Sequence, residues 1–382
     1  MKPTIAHIIT GLNTGGAEIM LERLLGRSQE SSFRPIVICL TDSGPTADRI
    51  RNMGIPVFDL AIPRGIPNPL AVRTIHALLK AEHAVLVQTW LYHADLLGGI
   101  AARLARIPVA WGVHRSNLDP ANTTRSLRLT MQACRRSARS VPTCIVCCAE
   151  TTRRVHTDFG YPAEKMIEIP NGFDLDVFKP DPVSRTRVRQ ELGISGETVL
   201  AGIIGRFVPL KNHRLFVEAA SVAATRCPEL RFVMIGDGLS PDNAELVAWI
   251  RATGQSGRFQ LLGRRSDTPA LLASLDITIQ SSNTEAFPLV IGEAMSAGTP
   301  CIATDVGDTA RLIGDTGEIV PPQDAEALAD ALVRMASRTS AEREALGQRA
   351  RARIAAEFDI RAISDRYETL WRQLAAGEKP CG

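Results

Sequence analysis

One feature constrains this chain more than any other: two kinds of segment alternate along it, and the alternation occurs twice. In the first half, short apolar runs rich in β-branched residues read "IAHIIT", "PIVICL", "VLVQTW", "VAWGVH" and "CIVCCAE". Longer helix-like stretches such as 16–30, 69–82, 93–106 and 122–139 separate them. In the second half the strand-like runs are "VLAGIIGRF", "RFVMIGDG", "RFQLLG", "DITIQSS", "PCIATD" and "GEIVPP". Helix-like stretches 211–226, 241–254, 267–275, 289–298 and 324–337 lie between these. A strand apolar at nearly every residue is buried on both faces, as in a parallel sheet between two layers of helices. The expectation is an α/β protein with two doubly wound domains.

The length agrees, because 382 residues exceed one ordinary core and suit two. The join is expected in "IPNGFDLDVFKPDPVS", residues 169–184, where prolines, a glycine and aspartates break the pattern. This divides the chain into 1–172 and 173–358. Near the end, Ile360, Ile363, Tyr367, Leu370 and Trp371 form a helical apolar stripe. The helix 359–378 that carries it is expected to bury that stripe on the first domain.

Bulk properties exclude several classes. With 45% hydrophobic and 22% charged residues the chain is neither disordered nor highly charged. A net charge of +3 gives no case for nucleic acid. No apolar run approaches the ~20 residues of a membrane span. The opening "MKPTIAHIITGLN" turns polar and glycine-rich at once, which reads as a first strand and not a signal peptide. The eight cysteines form no paired framework, so reduced thiols in a cytoplasmic protein are expected. Cys144, Cys147 and Cys148 cluster, but no second ligand pair stands at zinc spacing.

Ligands of open parallel sheets bind beyond the carboxyl ends of the strands, so the chemistry should lie in those loops. After the first strand come Gly15 and Gly16, opening a helix. They allow either backbone contact with a phosphate or simply a tight turn. The stretch is not G-x-G-x-x-G, and no Walker lysine follows, which weakens the NAD and P-loop readings. "GIIGRFVPLKNH" sets Arg206 and Lys211 beyond a strand, where two cations suit a diphosphate or form a solvated pair. In "SSNTEAFPLVIGEAMSAGTPCIATD" two glutamates, Glu285 and Glu293, flank a predicted helix start. Pro288 is expected in its first turn, with the N–H groups of Leu289 and Val290 as open donors. Glu293 falls one turn further along. These carboxylates suit sugar hydroxyls, a capping role or, with less support, a glycosidase pair.

Taken in order, "GGAE", "GRFVPLKN", "GDG", "LLGRRSD" and "EAFPLVIGEAMSAGTPCIATDVG" resemble the retaining glycosyltransferases of family 4. That family has the GT-B fold, two Rossmann-like domains facing across a cleft, with a C-terminal helix returning to the first. The resemblance implies an acceptor-binding domain over 1–172 and a nucleotide-sugar-binding domain over 173–358. It implies donor contacts from Gly15, Gly16, Gly236, Arg264, Pro288, Leu289, Val290 and Glu293. Arg206 and Lys211 would neutralise the diphosphate, and Glu285 would hold the donor sugar. His114, in "WGVHRSN", would lie near the reacting sugar. Transfer would retain the anomeric configuration without a metal or other cofactor, the UDP- or GDP-sugar being a substrate. The Asp174-x-Asp176 pair imitates a metal-binding acid pair, but it lies in the interdomain segment, and no metal is expected there.

The helix-like stretch 122–139 bears on the acceptor. At 100° per residue Arg125, Arg128, Arg135, Arg136 and Arg139 share about a quarter to a third of its circumference. Leu127, Met131, Cys134 and Ala138 share another face. Such a helix lies on an anionic membrane, holds a phosphorylated acceptor, or covers a core with a solvated basic face. The functional expectation is transfer to a saccharide or lipid-linked acceptor for a cell-surface polysaccharide, at the cytoplasmic face of the membrane. A nucleotide-sugar-binding protein without turnover and a sugar-nucleotide epimerase are the alternatives. Neither the sugar nor the base can be read from the chain.

Overall fold

The first half of the chain builds a parallel sheet from β1 (Thr4–Ile9), β2 (Arg34–Cys39), β3 (Val57–Asp59), β4 (Ala84–Trp90), β5 (Val109–Val113), β6 (Cys144–Cys147) and β7 (Met166–Glu168). Its order is β3-β2-β1-β4-β5-β6-β7. Its helices are α1 (Gly16–Gly26), α2 (Pro45–Asn52), α3 (Pro69–Ala81), α4 (Tyr92–Ala105), α5 (Arg125–Ser137) and α6 (Glu150–Phe159). The structure is a computed structural model describing residues 2–41, 43–63, 69–120, 123–196 and 198–378.

The second half builds a six-stranded parallel sheet in the order β10-β9-β8-β11-β12-β13. Its strands are β8 (Val199–Ile204), β9 (Leu230–Ile235), β10 (Phe259–Gly263), β11 (Ile277–Gln280), β12 (Cys301–Thr304) and β13 (Glu318–Val320). Around it lie α7 (Pro182–Glu191), α8 (His213–Arg226), α9 (Ala244–Ala252), α10 (Thr268–Ser274), α11 (Leu289–Ser296), α12 (Thr309–Ile313), α13 (Ala325–Ala336) and α14 (Ser340–Glu357). All strands stay parallel, and in each sheet the order of winding switches sides once, between β1 and β4 in the first and between β8 and β11 in the second. Those two gaps are the switch points where the loops diverge and leave room for a ligand.

The chain forms two compact units, Met1–Gly172 with Ile360–Gly382, and Phe173–Asp359. The helix-like end of the chain is two helices, because α14 stops at a short non-helical link. There Phe173 N–H donates to Phe358 O at 2.9 Å. The last helix, α15 (Ile360–Ala375), packs its stripe of Ile360, Ile363, Tyr367, Leu370, Trp371 and Leu374 into the first unit's core beside Ile5, Ile9 and Trp90. Each of these large side chains contributes about 1.5–3 kcal/mol on burial. Tyr367 stacks on Trp90 at 6.1 Å, and Trp371 Nε1 donates to Gln88 Oε1 at 3.3 Å.

The elements without a strong sequence signal are short or polar. β3 and β7 have three residues each and sit at the two edges of their sheet. The helices α2, "PTADRIRN", and α6, "ETTRRVHTDF", carry few apolar residues, so tertiary packing and not periodicity forms them. Among the described residues no helix is long and apolar enough to cross a membrane.

Candidate functional site

At the switch point of the second unit, the loop after β8 and the loop after β11 are joined through their backbones. Asn283 N–H donates to Leu210 O at 2.8 Å, and Ser281 Oγ donates to Lys211 O and Asn212 O, both at 3.0 Å. Asn212, left-handed at φ 46°, caps α8 by accepting from Leu215 N–H at 3.2 Å. These contacts bring Lys211 Nζ to 2.5 Å from Glu285 Oε1, an oxygen that also accepts from Ser282 Oγ at 2.7 Å. The Lys211 side chain is 32% exposed and that of Glu285 13%.

Two glycines hold this arrangement at close range. Gly236, at φ 145°, lies so near the β8 loop that a Cβ would stand 1.9 Å from Gly205 O. Phe207 N–H donates to Asp237 O at 2.7 Å on the same edge. Gly307, at φ 60°, passes under the glutamate, where a Cβ would stand 2.3 Å from Glu285 O. A side chain at either place would push the loops apart.

Helix α11 begins at Leu289, so the N–H groups of Leu289 and Val290 lie in its first turn, without intrahelical acceptors. Pro288 is the residue before the helix, extended at φ −77° and ψ 102°, and not inside the first turn as expected. Glu293 follows one turn along and is buried. Gly292 admits the Phe173 ring, since a Cβ there would stand 2.0 Å from its Cζ. Arg206 is exposed, and its carbonyl accepts from His213 Nε2 at 3.0 Å. Arg264 is exposed and follows Gly263, which is left-handed at φ 63°. Of the predicted residues, Lys211 and Glu285 are in direct contact. Arg206 and Gly236 adjoin them through the β8 loop, and Leu289, Val290 and Glu293 lie on the helix that follows Glu285.

Gly15, Gly16 and His114 belong to the first unit. Gly15 precedes α1, and the space above it holds the Glu18 carboxylate; a Cβ on Gly15 would stand 2.4 Å from Glu18 Oε2. An acid in the first turn complements the helix dipole, and it occupies the place proposed for a phosphate. Glu18 has the N3 position of a capping acid, a signal visible in "GGAE". His114 stacks on Trp90 at 5.1 Å. Both its ring nitrogens are buried, with no hydrogen-bond partner among the described residues. Burial lowers its pKa to about 4, so the ring is neutral near pH 7. Trp90 Nε1 in turn donates to His7 Nδ1 at 3.3 Å.

The other motifs have local roles. Asp174 Oδ1 accepts from Asp176 N–H at 2.9 Å and Val177 N–H at 3.1 Å, a turn of the chain on itself. Cys144 and Cys147 are buried in β6, and burial pushes the Cys144 thiol up to about 12. Among the described residues no three His, Cys, Asp or Glu are grouped to hold a metal ion. Helix α5 begins at Arg125 behind Thr124, whose side chain caps it; residue 122 of the expected helix lies outside the described residues. Met131, Cys134 and Ala138 are buried and Leu127 partly so, while Arg125, Arg128, Arg135, Arg136 and Arg139 are exposed.

The geometry is thus that of two Rossmann-like units, with a lysine–glutamate contact at the switch point of the second. Two family models match the chain: Glycosyltransferase Family 4 over residues 14–177 and Glycosyl transferases group 1 over residues 184–353. The UDP-Gal:alpha-D-GlcNAc-diphosphoundecaprenol alpha-1,3-galactosyltransferase of Escherichia coli is 29% identical over 352 residues, 87% of this chain and 88% of that protein. The lipopolysaccharide core biosynthesis mannosyltransferase LpsB of Rhizobium meliloti is 28% identical over 221 residues, 54% of this chain and 63% of that protein. The crystal structure of Anabaena HepE in complex with UDP-glucose is similar, with a TM-score of 0.81 and 25% identity, over 96% of this chain and 99% of that one. The chain belongs to the glycosyltransferases of family 4.

Proposed function

We propose that the protein transfers a sugar from a UDP- or GDP-sugar to a saccharide or lipid-linked acceptor in the building of a cell-surface polysaccharide. The observation that carries this reading is the Lys211–Glu285 pair at the second unit's switch point, beside the start of α11. A lysine ammonium has three donors. One meets Glu285, and the others serve the donor's diphosphate together with Arg206 and the N–H groups of Leu289 and Val290. Charge developing on the leaving diphosphate is stabilised by these preorganised groups. Glu285 accepts from the donor sugar's hydroxyls and Glu293 from the ribose. The turn at Arg264 lies against the base, and Gly236 and Pro288 shape the edge of the site. Backbone contact from Gly15 and Gly16 requires the Glu18 carboxylate to swing aside. His114, neutral and with both ring nitrogens unpaired among the described residues, meets the sugar.

In the proposed step the acceptor oxygen bonds to the anomeric carbon as the bond to the diphosphate breaks. The acceptor's proton passes to a diphosphate oxygen on the same face, so configuration is retained. Side chains and helix N–H groups carry the positive charge, and no metal takes part. The lipid-linked form of the acceptor puts the reaction at the inner face of the cytoplasmic membrane, with the basic face of α5 toward anionic headgroups. The Escherichia coli relative supports a diphosphate-lipid acceptor, and HepE supports a UDP-sugar donor.

The test is release of UDP or GDP from UDP-glucose, UDP-galactose, UDP-N-acetylglucosamine and GDP-mannose, with a chelator present. Slow hydrolysis of one donor that survives the chelator and is lost in Lys211→Ala supports the reading. A donor bound without turnover, or turnover only with added metal, overturns it as stated. The anomeric configuration of the first product, read by NMR, decides retention.

A further inference from the structure

The first unit contains a cavity of about 730 Å³, built wholly from its own residues, within the ~300–1,000 Å³ usual for small-molecule sites. It lies at the carboxyl end of the sheet, between the β1–α1 turn and helices α4 and α5. Its walls are mostly carbon, from Leu40, Ile62, Leu96, Leu97, Leu127 and Leu129. Three hydroxyl residues of the lining are taken up by the backbone, while Thr10 Oγ1 is buried with no hydrogen-bond partner among the described residues. Thr41 Oγ1 donates to Thr10 O at 2.9 Å, Thr130 Oγ1 donates to Ser126 O at 3.0 Å, and Thr124 Oγ1 accepts from Leu127 N–H. A saccharide site needs many free polar groups to meet hydroxyls; here three of the lining hydroxyls are already engaged.

The charge beside the cavity is equally one-sided. Helix α5 carries no acidic residue, and among the described residues no carboxylate pairs with Arg125, Arg128, Arg136 or Arg139. Leu129 lines the cavity, is 71% exposed, and shares a face of α5 with Arg125 and Arg136. An apolar slot opening beside unpaired arginines complements a hydrocarbon with an anionic head. The one carboxylate among the described lining residues is Glu18, at the start of α1.

Resting on the reading of a lipid-linked acceptor, we propose that this cavity seats the first isoprenoid units of a polyprenyl phosphate or diphosphate, with its phosphate held by the arginines of α5. The acceptor is then recognised by its lipid as well as its sugar.

The experiment measures binding of inorganic phosphate, geranyl phosphate and farnesyl phosphate to the whole protein with saturating UDP, which keeps the probes out of the donor site. Each buried methylene is worth about fourfold in affinity. Farnesyl phosphate should therefore bind at least tenfold more tightly than geranyl phosphate, and inorganic phosphate weakly. Ala133→Trp fills the cavity from α5 and should weaken farnesyl phosphate at least tenfold while stabilisation by UDP persists. Leu129→Gln, at an exposed position, should weaken it severalfold without disturbing the core. Affinity independent of chain length overturns the proposal, as does an Ala133→Trp protein that binds farnesyl phosphate normally. Loss of binding in Arg125→Gln/Arg128→Gln but not in Ala133→Trp would show attraction to a charged surface alone, and also overturns it. Binding of UDP without farnesyl phosphate sinks the cavity and leaves the transfer reading standing. Failure of every nucleotide to bind sinks the transfer reading itself.

Discussion

The contact between Lys211 and Glu285 should behave as one unit in catalysis, and a double-mutant cycle tests this. At 2.5 Å and an effective dielectric of ~20, the gross attraction is roughly 6–7 kcal/mol. Most of it is offset by desolvation. Fully exposed pairs are worth about 0.2–1 kcal/mol, and breaking a buried one costs about 3–5 kcal/mol. With Glu285 mostly covered and Lys211 a third exposed, the coupling should fall at about 1–3 kcal/mol. Lys211→Ala also removes a donor from the leaving diphosphate, a loss of about 10²–10³ in turnover. Glu285→Gln keeps the shape, leaves the ammonium without its anion and should cost a similar factor. The double variant should lose at least fivefold less than the product of the two singles. Donor hydrolysis and thermal unfolding with UDP supply the readouts. Additivity within about 0.5 kcal/mol would show that the two act separately, and a Lys211→Ala enzyme within twofold of the parent would remove Lys211 from the site.

Three further outcomes can be checked more simply. Gly236→Ala forces a Cβ to within 1.9 Å of Gly205 O at a positive φ, so unfolding should show a loss of about 2–4 kcal/mol together with loss of UDP stabilisation. Asp276 accepts from Arg185, Arg189 and Leu200 N–H in the core edge of the second unit; Asp276→Ala should cost about 3 kcal/mol in a urea titration. Burial holds His7 near about 3, and His114 and His156 near about 4. An unfolded histidine titrates near ~6.5, so below that pH the unfolded chain takes up protons that the folded one refuses. Stability should therefore fall as pH drops from ~6.5 toward 4, and His7→Gln should flatten part of that fall in a melting series.

The strands, the double repeat of the sheet and the candidate loops were legible in the sequence because they follow from local periodicity. A strand buried on both faces must be apolar throughout, and in a doubly wound sheet the chemistry must follow the strands. The stripe from Ile360 to Trp371 told the same way that the last helix is buried on one side. β3 and β7 were not read, since three residues carry no period; β13, equally short and at an edge, was picked out by the glycine and the two prolines that bracket it. Nor was the break between α14 and α15, which rests on Phe358 bonding to Phe173 far back in the chain.

What the sequence by itself determined was therefore the class of fold, the placing of Arg206, Lys211, Glu285 and Glu293 beyond strand ends, and the basic face of α5. Tertiary structure alone decided which of them touch. Lys211 and Glu285 are 74 residues apart and meet because β8 and β11 are neighbours in register and their loops share backbone hydrogen bonds. It also decided that Glu18 covers the Gly15 turn, that His114 rests on Trp90, and that Thr41, Thr124 and Thr130 beside the apolar cavity bond their hydroxyls to the backbone. Periodicity reports which face of an element is buried. The partner across the gap depends on sheet order and loop closure, which no local pattern contains.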